Sequence, residues 1–213
     1  MAVVTQERDF TAADSVDSAK RRQIIEGARQ VFLAQGFDGA SMGEIARTAG
    51  VSKGTLYVYF ASKEDLFQVV AYDECLAQAE QVFALDHTDH DVEAVLSRLG
   101  TAFVKFLCRP ERMAPVRTIM SISERMPDVG RKFYETGPAT GMGRVAAYIE
   151  AQVAAGVLEV EDVAVAAAQF LESCTATIAK PILFGFGSAP DEHRIDHVVG
   201  IAVRTFLAAY RRR

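Results

Sequence analysis

The stretch SMGEIARTAGVSKGTLYVYF, residues 41–60, contains two short helical patterns separated by a glycine. Ser41 and Glu44 have the spacing of a capping box, in which the serine caps the helix and the glutamate reaches back towards it. Gly50 permits a tight turn, and Ser52 is placed to cap the second helix. Two short helices joined by a glycine turn are typical of the helix-turn-helix unit that binds DNA.

The second helix, residues 53–60, divides into two faces when its residues are spaced at about 100° around the helix axis. Leu56 and Phe60 fall together on the side that we expect to be buried. Gly54 and Thr55 fall roughly opposite, where a small residue allows close approach to base edges and a hydroxyl can hydrogen-bond to a base. This division is the one that a helix in the major groove of DNA requires.

Other side chains flank the outward face of this helix. Val58 can contact a thymine methyl group, and the hydroxyls of Tyr57 and Tyr59 project to two sides, where phosphates line the groove. Lys63 adds a charge at the start of the next helix, where the helix terminus also favours phosphate. In isolation a short helix with Tyr and Phe is more often a piece of hydrophobic core, so the interpretation depends on the two-helix context.

The local charge supports DNA binding at this end of the chain. The 213 residues carry a net charge of −5, whereas residues 20–63 hold seven Lys and Arg against three Asp and Glu. A protein that binds DNA through one region needs such a local excess rather than a basic composition throughout. Half of the residues are apolar, which suffices for one large domain or for a small and a larger one.

The chain shows almost no strand signal, and the sequence predicts an all-α fold. Pro138 and Pro181 fall inside helical patterns and predict kinks or breaks there. Residues 1–17 are expected to be a disordered tail. Beyond the short helix after Ser41, apolar residues at three- and four-residue steps predict helices over residues 18–35, 53–60, 63–85, 92–108, 111–125, 129–155, 163–184 and 192–212.

The segment GFDGASMGEIARTAGVSKGTLYVYFASKEDLF, residues 36–67, resembles the DNA-binding signature of the tetracycline-repressor (TetR) family of bacterial transcription regulators. The resemblance implies a three-helix helix-turn-helix DNA-binding head over residues 18–62, and a helical ligand-binding and dimerisation body over residues 63–213. The body also resembles AefR-like C-terminal domains through MSISERMPDVGRKFYETGP, residues 120–138. Carried over position by position, the DNA contacts of the family fall on Ser41, Met42, Ser52, Lys53, Gly54, Thr55, Tyr57, Tyr59 and Lys63.

The resemblance further implies a repressor that binds a palindromic operator as a dimer and is released by a small effector bound in the body. Met and Phe suit an adaptable pocket, and the set of candidates indicates a hydrophobic or aromatic effector, although core packing is the competing role for each residue. The pocket candidates are Phe103, Phe106, Met120, Phe133, Tyr134, Phe170 and Cys174.

The last two helices are apolar around a wide arc, which predicts a second partner for them. In the final helix, one apolar stripe can face the core of the body, and a neighbouring stripe contains Val198, Ile201, Thr205 and Ala208. A second copy of the chain across a twofold axis is the expected partner, and burial inside the monomer is the alternative.

Other functions find little support in the sequence. No nucleophile elbow, phosphate-binding glycine loop or catalytic carboxylate pair is recognisable, so neither an enzyme nor a cofactor is expected. His193 and His197 lack further ligands for a metal. No apolar run approaches the ~20 residues of a membrane span, and three scattered cysteines indicate a reducing compartment, so we expect a cytoplasmic protein. The alternative function is a DNA-bound factor of the same fold whose body binds another protein and no small effector.

Overall fold

The structure is a computed structural model that describes residues 12–212. The described residues form eleven α-helices and one π-helical turn and contain no strand, which confirms the all-α prediction. Only the backbone is described for residues 12–16, 71–79, 110, 111 and 114.

Aspartate caps fix the start of three helices beyond residue 90. Asp91, Asp162 and Asp191 each accept a hydrogen bond from the backbone N–H three residues on, at 3.1, 3.0 and 2.7 Å. Caps of this kind contribute about 0.5–2 kcal/mol each. In chain order the helices are α1 (Ala12–Gly39), α2 (Met42–Thr48), α3 (Lys53–Tyr59), α4 (Lys63–Val82), α5 (Val92–Leu107), α6 (Pro110–Ile122), α7 (Pro127–Tyr134), α8 (Thr140–Ala154), α9 (Val163–Cys174), α10 (Ala179–Leu183) and α11 (Glu192–Tyr210).

The first helix extends beyond its predicted limits. It begins at Ala12, so residues 12–17 of the predicted tail are helical, and the rest of that tail lies outside the described residues. The predicted stop at Gly36 is confirmed by a backbone with φ 71° and ψ 176°, which separates a final turn through Gly39 from the main helix. Glycine adopts such a conformation because it has no Cβ to clash with the backbone.

The helix predicted over residues 129–155 is interrupted where the proline pattern indicated. A π-helical turn, Glu135–Ala139, surrounds Pro138 and separates α7 from α8. Proline has no N–H to donate and clashes with the carbonyl four residues before it, so the regular hydrogen-bond ladder cannot continue through it. The wider π-helical turn accommodates the ring without ending the helical path.

The helix predicted over residues 163–184 is broken, but at an earlier point than its proline. Helix α9 ends at Cys174, and α10 begins at Ala179 with Pro181 inside it. Between them Thr177 has a φ of 65°, the one positive φ among the described residues other than glycine. This conformation lies outside the right-handed helical region, so the interruption is a turn between two helices and not a kink in one helix.

The chain divides into two compact units after Ala71. In the first unit Ile24 of α1, Ile45 of α2 and Leu56 of α3 are fully buried and form the centre of the core. Each such side chain contributes about 1.5–3 kcal/mol through burial of its apolar surface. Helix α4 spans the division, so the functional boundary predicted between residues 62 and 63 stays a prediction.

The core of the second unit is formed mainly by α5, α8, α9 and α11. Phe170 and Phe206 pack edge to face across α9 and α11, with ring centroids 5.7 Å apart. Gly100 lets α5 approach these helices closely, since a Cβ there would lie 2.8 Å from Val199 and 3.0 Å from the sulfur of Cys174. These contacts make one continuous apolar core in the unit.

Buried polar groups of α8 hold the loop that precedes α5. The Gln152 side chain is fully buried, and its Nε2 donates to the carbonyl of His87 at 3.0 Å while its Oε1 lies 2.8 Å from Nδ1 of His90. Because the amide oxygen can only accept, Nδ1 of His90 carries the proton. The Tyr148 hydroxyl donates to the carbonyl of Asp89 at 2.9 Å, and burial raises the pKa of Tyr148 to about 12.

The structure describes the side chains of two of the three cysteines. Cys108 and Cys174 are buried free thiols, and the side chain of Cys75 lies outside the description.

Within the described part of the chain, no helix has the length and apolar character needed to cross a membrane. In the same residues no three His, Cys, Asp or Glu side chains come together as metal ligands.

Candidate DNA interface

The start of α2 is built by Ser41 and Glu44. The Ser41 hydroxyl accepts a hydrogen bond from the backbone N–H of Glu44 at 3.2 Å and donates to the Glu44 carboxylate at 3.1 Å. The predicted serine cap is confirmed. The Glu44 carboxylate accepts a hydrogen bond from the serine hydroxyl, whereas in a capping box it accepts from the backbone N–H of the serine. Ile45 and Ala46 are buried behind it, and Met42 is half-buried at the first position of the helix. Ser41 lies exposed at a helix start, where backbone N–H groups favour phosphate, while its own hydroxyl proton is donated to Glu44.

The turn between α2 and α3 depends on Gly50. Its φ is 65°, and its N–H donates to the carbonyl of Arg47 at 3.1 Å. The next N–H, of Val51, donates to the carbonyl of Ala46 at 2.9 Å. These bonds satisfy carbonyls at the end of α2 and reverse the chain into α3, as in common glycine-terminated helices. The predicted helix-turn-helix geometry is confirmed.

Helix α3 presents the outward face that the sequence predicts. Ser52 caps it by accepting from the N–H of Thr55 at 3.0 Å, and the two hydroxyl oxygens lie 2.8 Å apart in a further hydrogen bond. Leu56 is fully buried, whereas Val58 and Tyr57 are exposed. Thr55 is half-buried and lies beside this exposed surface, and Ser52 holds its hydroxyl in place.

Gly54 lies on this surface, and the space around it would also accommodate a larger residue. A Cβ built there approaches only the Ser52 hydroxyl, at 3.7 Å, which is ordinary contact. Glycine inside a helix costs about 1 kcal/mol relative to alanine. The packing of the described residues therefore does not require glycine at this position. Lys53 extends over α2, where a Cβ on Gly43 would lie 2.8 Å from its Cε.

Tyr59 has a partner that the sequence did not indicate. Its hydroxyl donates to the Asp17 carboxylate of α1 at 2.6 Å, and this hydrogen bond raises the pKa of Tyr59. The predicted phosphate contact would need the same proton, because a phosphate oxygen accepts hydrogen bonds. The two residues are 42 positions apart, so no local pattern in the sequence connects them.

Lys63 also differs from its predicted role as a free charge for phosphate. Its ammonium donates to the carbonyls of Phe37 and Ala40 at 2.7 and 3.0 Å, and it lies 4.4 Å from the centroid of the Phe37 ring. Two of its three N–H groups are therefore used to hold the segment between α1 and α2 against the start of α4. The backbone at the start of α4 keeps the positive helix terminus that the prediction also named.

The predicted effector residues on α5 are half-buried and have partners close to α5. The Phe103 ring lies 5.8 Å from the ring of Phe83, at the end of α4. The guanidinium of buried Arg112 lies 4.7 Å from the centroid of the Phe106 ring. An arginine on an aromatic ring joins α5 to α6, and sequence reasoning missed it because Arg112 carries a charge in a position that is buried.

The other predicted pocket residues lie in different surroundings. Phe170 and Cys174 belong to the buried core, Phe133 is half-buried, and Met120 and Tyr134 are exposed. Three clefts among the described residues have volumes of about 280 to 320 Å³, and Phe170 borders one of them. The effector pocket therefore stays a prediction.

Helices α9 and α11 share an open, partly apolar surface. A groove of about 310 Å³ runs between them. Val165 of α9 and Ile201 of α11 are exposed, as are Thr205 and Ala208. Val198, which was predicted for this stripe, is buried in the core of the second unit instead. The remaining surface is the part of the predicted dimer face that the monomer leaves uncovered.

Two exposed aromatic residues were not singled out from the sequence. Phe184 and Phe186 are 81% and 91% exposed. Gly185, with φ 72°, ends α10 in a regular turn, in which the N–H of Phe186 donates to the carbonyl of Pro181 at 2.8 Å. The pattern FGFG, residues 184–187, was a usable signal, since glycines on both sides of Phe186 leave it few neighbours.

A helix-turn-helix head followed by a separate helical unit defines a class of DNA-binding regulators. Two family descriptions match the chain within this class. Residues 24–70 match "Bacterial regulatory proteins, tetR family", and residues 94–212 match "AefR-like transcriptional repressor, C-terminal domain". The second match covers more than half of the chain. The chain therefore belongs to the TetR family of transcriptional regulators, a family of regulators and not of enzymes.

Solved structures resemble the chain over most of its length. A TetR-family transcriptional regulator of Mesorhizobium loti is 28% identical, with a TM-score of 0.85, and the alignment covers 92% of this chain and 98% of that one. The flavonoid-responsive regulator FrrA is 34% identical, with a TM-score of 0.76 and coverage of 92% and 99%.

Curated relatives match over a shorter stretch. The transcriptional repressor AcnR of Corynebacterium diphtheriae is 37% identical over 65 residues, which cover 30% of this chain and 34% of AcnR. The regulator UidR of Escherichia coli is 37% identical over 87 residues, which cover 39% of this chain and 44% of UidR. The chain thus spans less than half the length of these curated relatives.

Proposed function

We propose that the protein is a dimeric, cytoplasmic repressor that binds a palindromic DNA operator and is released by a small hydrophobic or aromatic effector. The observation that carries the proposal is the outward face of α3. Gly54, Thr55 and Val58 form its centre, and Tyr57 lies exposed at one side. A helix whose outward face has small side chains at its centre fits the major groove. Hydroxyls at the sides of that face reach the sugar-phosphate backbones.

Each residue on this face has a distinct expected role. The Thr55 hydroxyl, oriented by Ser52, hydrogen-bonds to a base edge, and Val58 contacts a thymine methyl group. Tyr57 and the capped helix starts at Ser41 and Ser52 bind phosphates, which positions α3 without reading sequence. The contacts to bases therefore determine which operator is bound, and the contacts to phosphates determine how tightly any duplex is bound.

The test is selection of binding sites from random duplexes by the purified protein, followed by titration of the selected DNA at several salt concentrations. We expect a palindromic site with half-sites about 34–36 Å apart, or at a related spacing set by the dimer. Thr55→Ala should change the selected bases, and Tyr57→Phe should weaken binding to all sequences.

The controls use matched positions away from α3. Tyr134→Phe is the control for Tyr57→Phe, because the two tyrosines are 55% and 53% exposed. Thr88→Ala, in the loop before α5, is the control for Thr55→Ala. If both α3 variants select the same site and bind it with the affinity of the unchanged protein, the proposed interface is wrong.

The dimer is proposed to form through α9 and α11. The exposed positions on these helices, Val165, Ile201, Thr205 and Ala208, suit a helix-to-helix contact because they are small or aliphatic. A twofold contact of this kind places two recognition helices on one duplex and explains a palindromic site. A stable dimer of this type buries more than ~2,000 Å² in total.

The nature of the effector is proposed from the pocket candidates and one relative. The regulator FrrA is described as flavonoid-responsive, and it matches this chain over 92% of its length. A panel of flavonoids and simpler phenolic compounds is therefore the first to test. Ligands that raise the melting temperature should also lower affinity for the selected operator, with a coupling of about 1–3 kcal/mol, or ~5- to 150-fold. Tight binding with unchanged operator affinity would contradict effector release.

One observation favours the alternative function, a DNA-bound factor whose body binds another protein. Phe184 and Phe186 form an exposed aromatic pair that no described contact covers. If the flavonoid panel gives no binding, a double change of Phe184→Ser and Phe186→Ser separates the two functions. Loss of repression in cells with unchanged operator affinity of the purified protein would support the protein-binding alternative.

A further inference from the structure

We propose that Asp17 limits DNA affinity because it accepts the hydrogen bond that the Tyr59 hydroxyl would otherwise donate to a DNA phosphate. The inference rests on the proposed DNA-binding function and adds a residue outside the matched DNA-binding region, which begins at residue 24. Asp17 lies on the part of α1 that precedes this region, and α1 itself begins at Ala12.

Two contacts place this part of α1 against the end of α3. The Tyr59 hydroxyl donates to the Asp17 carboxylate at 2.6 Å. One helical turn further along α1, the guanidinium of Arg21 lies 5.4 Å from the centroid of the Phe60 ring. Residues four apart share one face of a helix, so the same face of α1 contacts Tyr59, the last residue of α3, and Phe60, which follows it.

The hydrogen-bond chemistry makes the two partners of Tyr59 compete. A phenol has one proton to donate, and both a carboxylate and a phosphate oxygen can only accept. While Asp17 accepts that proton, Tyr59 offers DNA no donor. The carboxylate also places a negative charge at the edge of a surface proposed to face phosphates, which opposes binding. The raised pKa of Tyr59 agrees with a hydroxyl held in its protonated form by Asp17.

The same contact predicts which change releases the restraint. Asp17→Ala removes the acceptor and leaves the Tyr59 proton free for phosphate. Alanine is the best helix former, so α1 is expected to persist, and circular dichroism with thermal melting checks this. Affinity for the selected operator should rise roughly threefold to tenfold, the range expected when one hydrogen bond is gained.

The experiment is a double-mutant cycle in operator binding, with Asp17→Ala, Tyr59→Phe and the combined variant. Asp38→Ala is the control for loss of one negative charge, because Asp38 is an exposed residue in the final turn of α1 and has no described bond to Tyr59. In the Tyr59→Phe background, Asp17→Ala should change affinity no more than Asp38→Ala does. A coupling free energy between the two substitutions distinguishes competition for the Tyr59 hydrogen bond from a general effect of removing a negative charge.

Each outcome decides the question. A gain in affinity for Asp17→Ala that disappears in the Tyr59→Phe background supports the inference. Equal gains for Asp17→Ala and Asp38→Ala, or a loss for Asp17→Ala, overturn it, the latter by showing that Asp17 positions Tyr59 for DNA. Binding of the unchanged protein to its operator distinguishes these results from failure of the proposed function, since without it both proposals fall.

Discussion

A Cβ built on Gly27 of α1 would lie 2.6 Å from the Cβ of Ala49 and 2.7 Å from its backbone nitrogen. The end of α2 is therefore in direct contact with the backbone of α1. One turn earlier on α1, Gln23 donates from Nε2 to the carbonyl of Ala49 at 2.6 Å. Because Ala49 immediately precedes the Gly50 turn, these contacts determine where the recognition helix α3 begins relative to α1.

Gly27→Ala should destabilise the protein, although alanine is the better helix former. Overpacking against backbone atoms costs about 1–3 kcal/mol, which exceeds the ~1 kcal/mol gained in helix propensity. Gly143→Ala is the matched control, because Gly143 lies inside α8 and a Cβ there meets no atom within 4 Å. Urea unfolding should show a loss of stability for the first variant and a small gain for the second. Two gains would contradict the close contact between α1 and α2.

Lys63→Ala should lower the stability of the first unit in the absence of DNA. The change removes two hydrogen bonds from an ammonium group and the contact with the Phe37 ring. A hydrogen bond to a charged group is worth about 1.5–3 kcal/mol, so the loss should be readily measured by thermal melting. Lys180→Ala is the control, because Lys180 is exposed and lies on α10, outside the predicted DNA contacts. If Lys63→Ala melts like the unchanged protein and only DNA affinity falls, Lys63 acts on phosphate as the sequence predicted.

Ile201→Glu should convert the proposed dimer into a monomer without unfolding it. Ile201 is 44% exposed, so a charge there is tolerated by the monomer but not by a buried helix-to-helix contact. Leu33→Glu on α1 is the control, since Leu33 is 59% exposed. Sedimentation equilibrium should show a reduced mass for the Ile201 variant alone. An unchanged protein that is monomeric at micromolar concentration would exclude the dimer.

Gln152→Leu should destabilise the second unit by about 2–3 kcal/mol, because it leaves the carbonyl of His87 and Nδ1 of His90 without their buried partner. Gln81→Leu, at an exposed glutamine, should change stability by no more than about 0.5 kcal/mol. Chemical denaturation measures both. Equal effects would show that the loop before α5 does not depend on Gln152.

Cys174 should resist thiol reagents as long as the protein is folded. Burial raises its pKa to about 12 and raises that of Cys108, and the thiolate is the reactive form. At pH 8 the Cys174 thiol is therefore almost entirely protonated. Mass spectrometry after alkylation should find both residues unmodified in the folded protein and modified in urea. Rapid labelling of Cys174 in the folded state would show that the core around α9 opens.

Features that depend on neighbouring residues were predictable from the sequence. The Ser41 and Ser52 caps, the Gly50 turn and the buried position of Leu56 all follow from side chains within a few positions of one another. Hydrogen-bond capping, backbone sterics and helical periodicity act over that distance, so a short pattern contains the information they need. The same local rules indicated the break at Pro138.

Contacts between distant residues were not predictable in this way. Periodicity shows that Tyr59 lies on one side of α3, but only the packing of α1 against α3 brings Asp17 within 2.6 Å of it. Lys63 likewise donates to carbonyls 26 and 23 positions away, and Val198 is buried in the core although its stripe was predicted to face a second copy of the chain. An apolar pattern specifies which face of a helix is buried, whereas the identity of the facing helix depends on how all the faces pack together. The packing of the helices therefore determines which polar groups already have a hydrogen-bond partner within the chain, and no short sequence pattern contains that information.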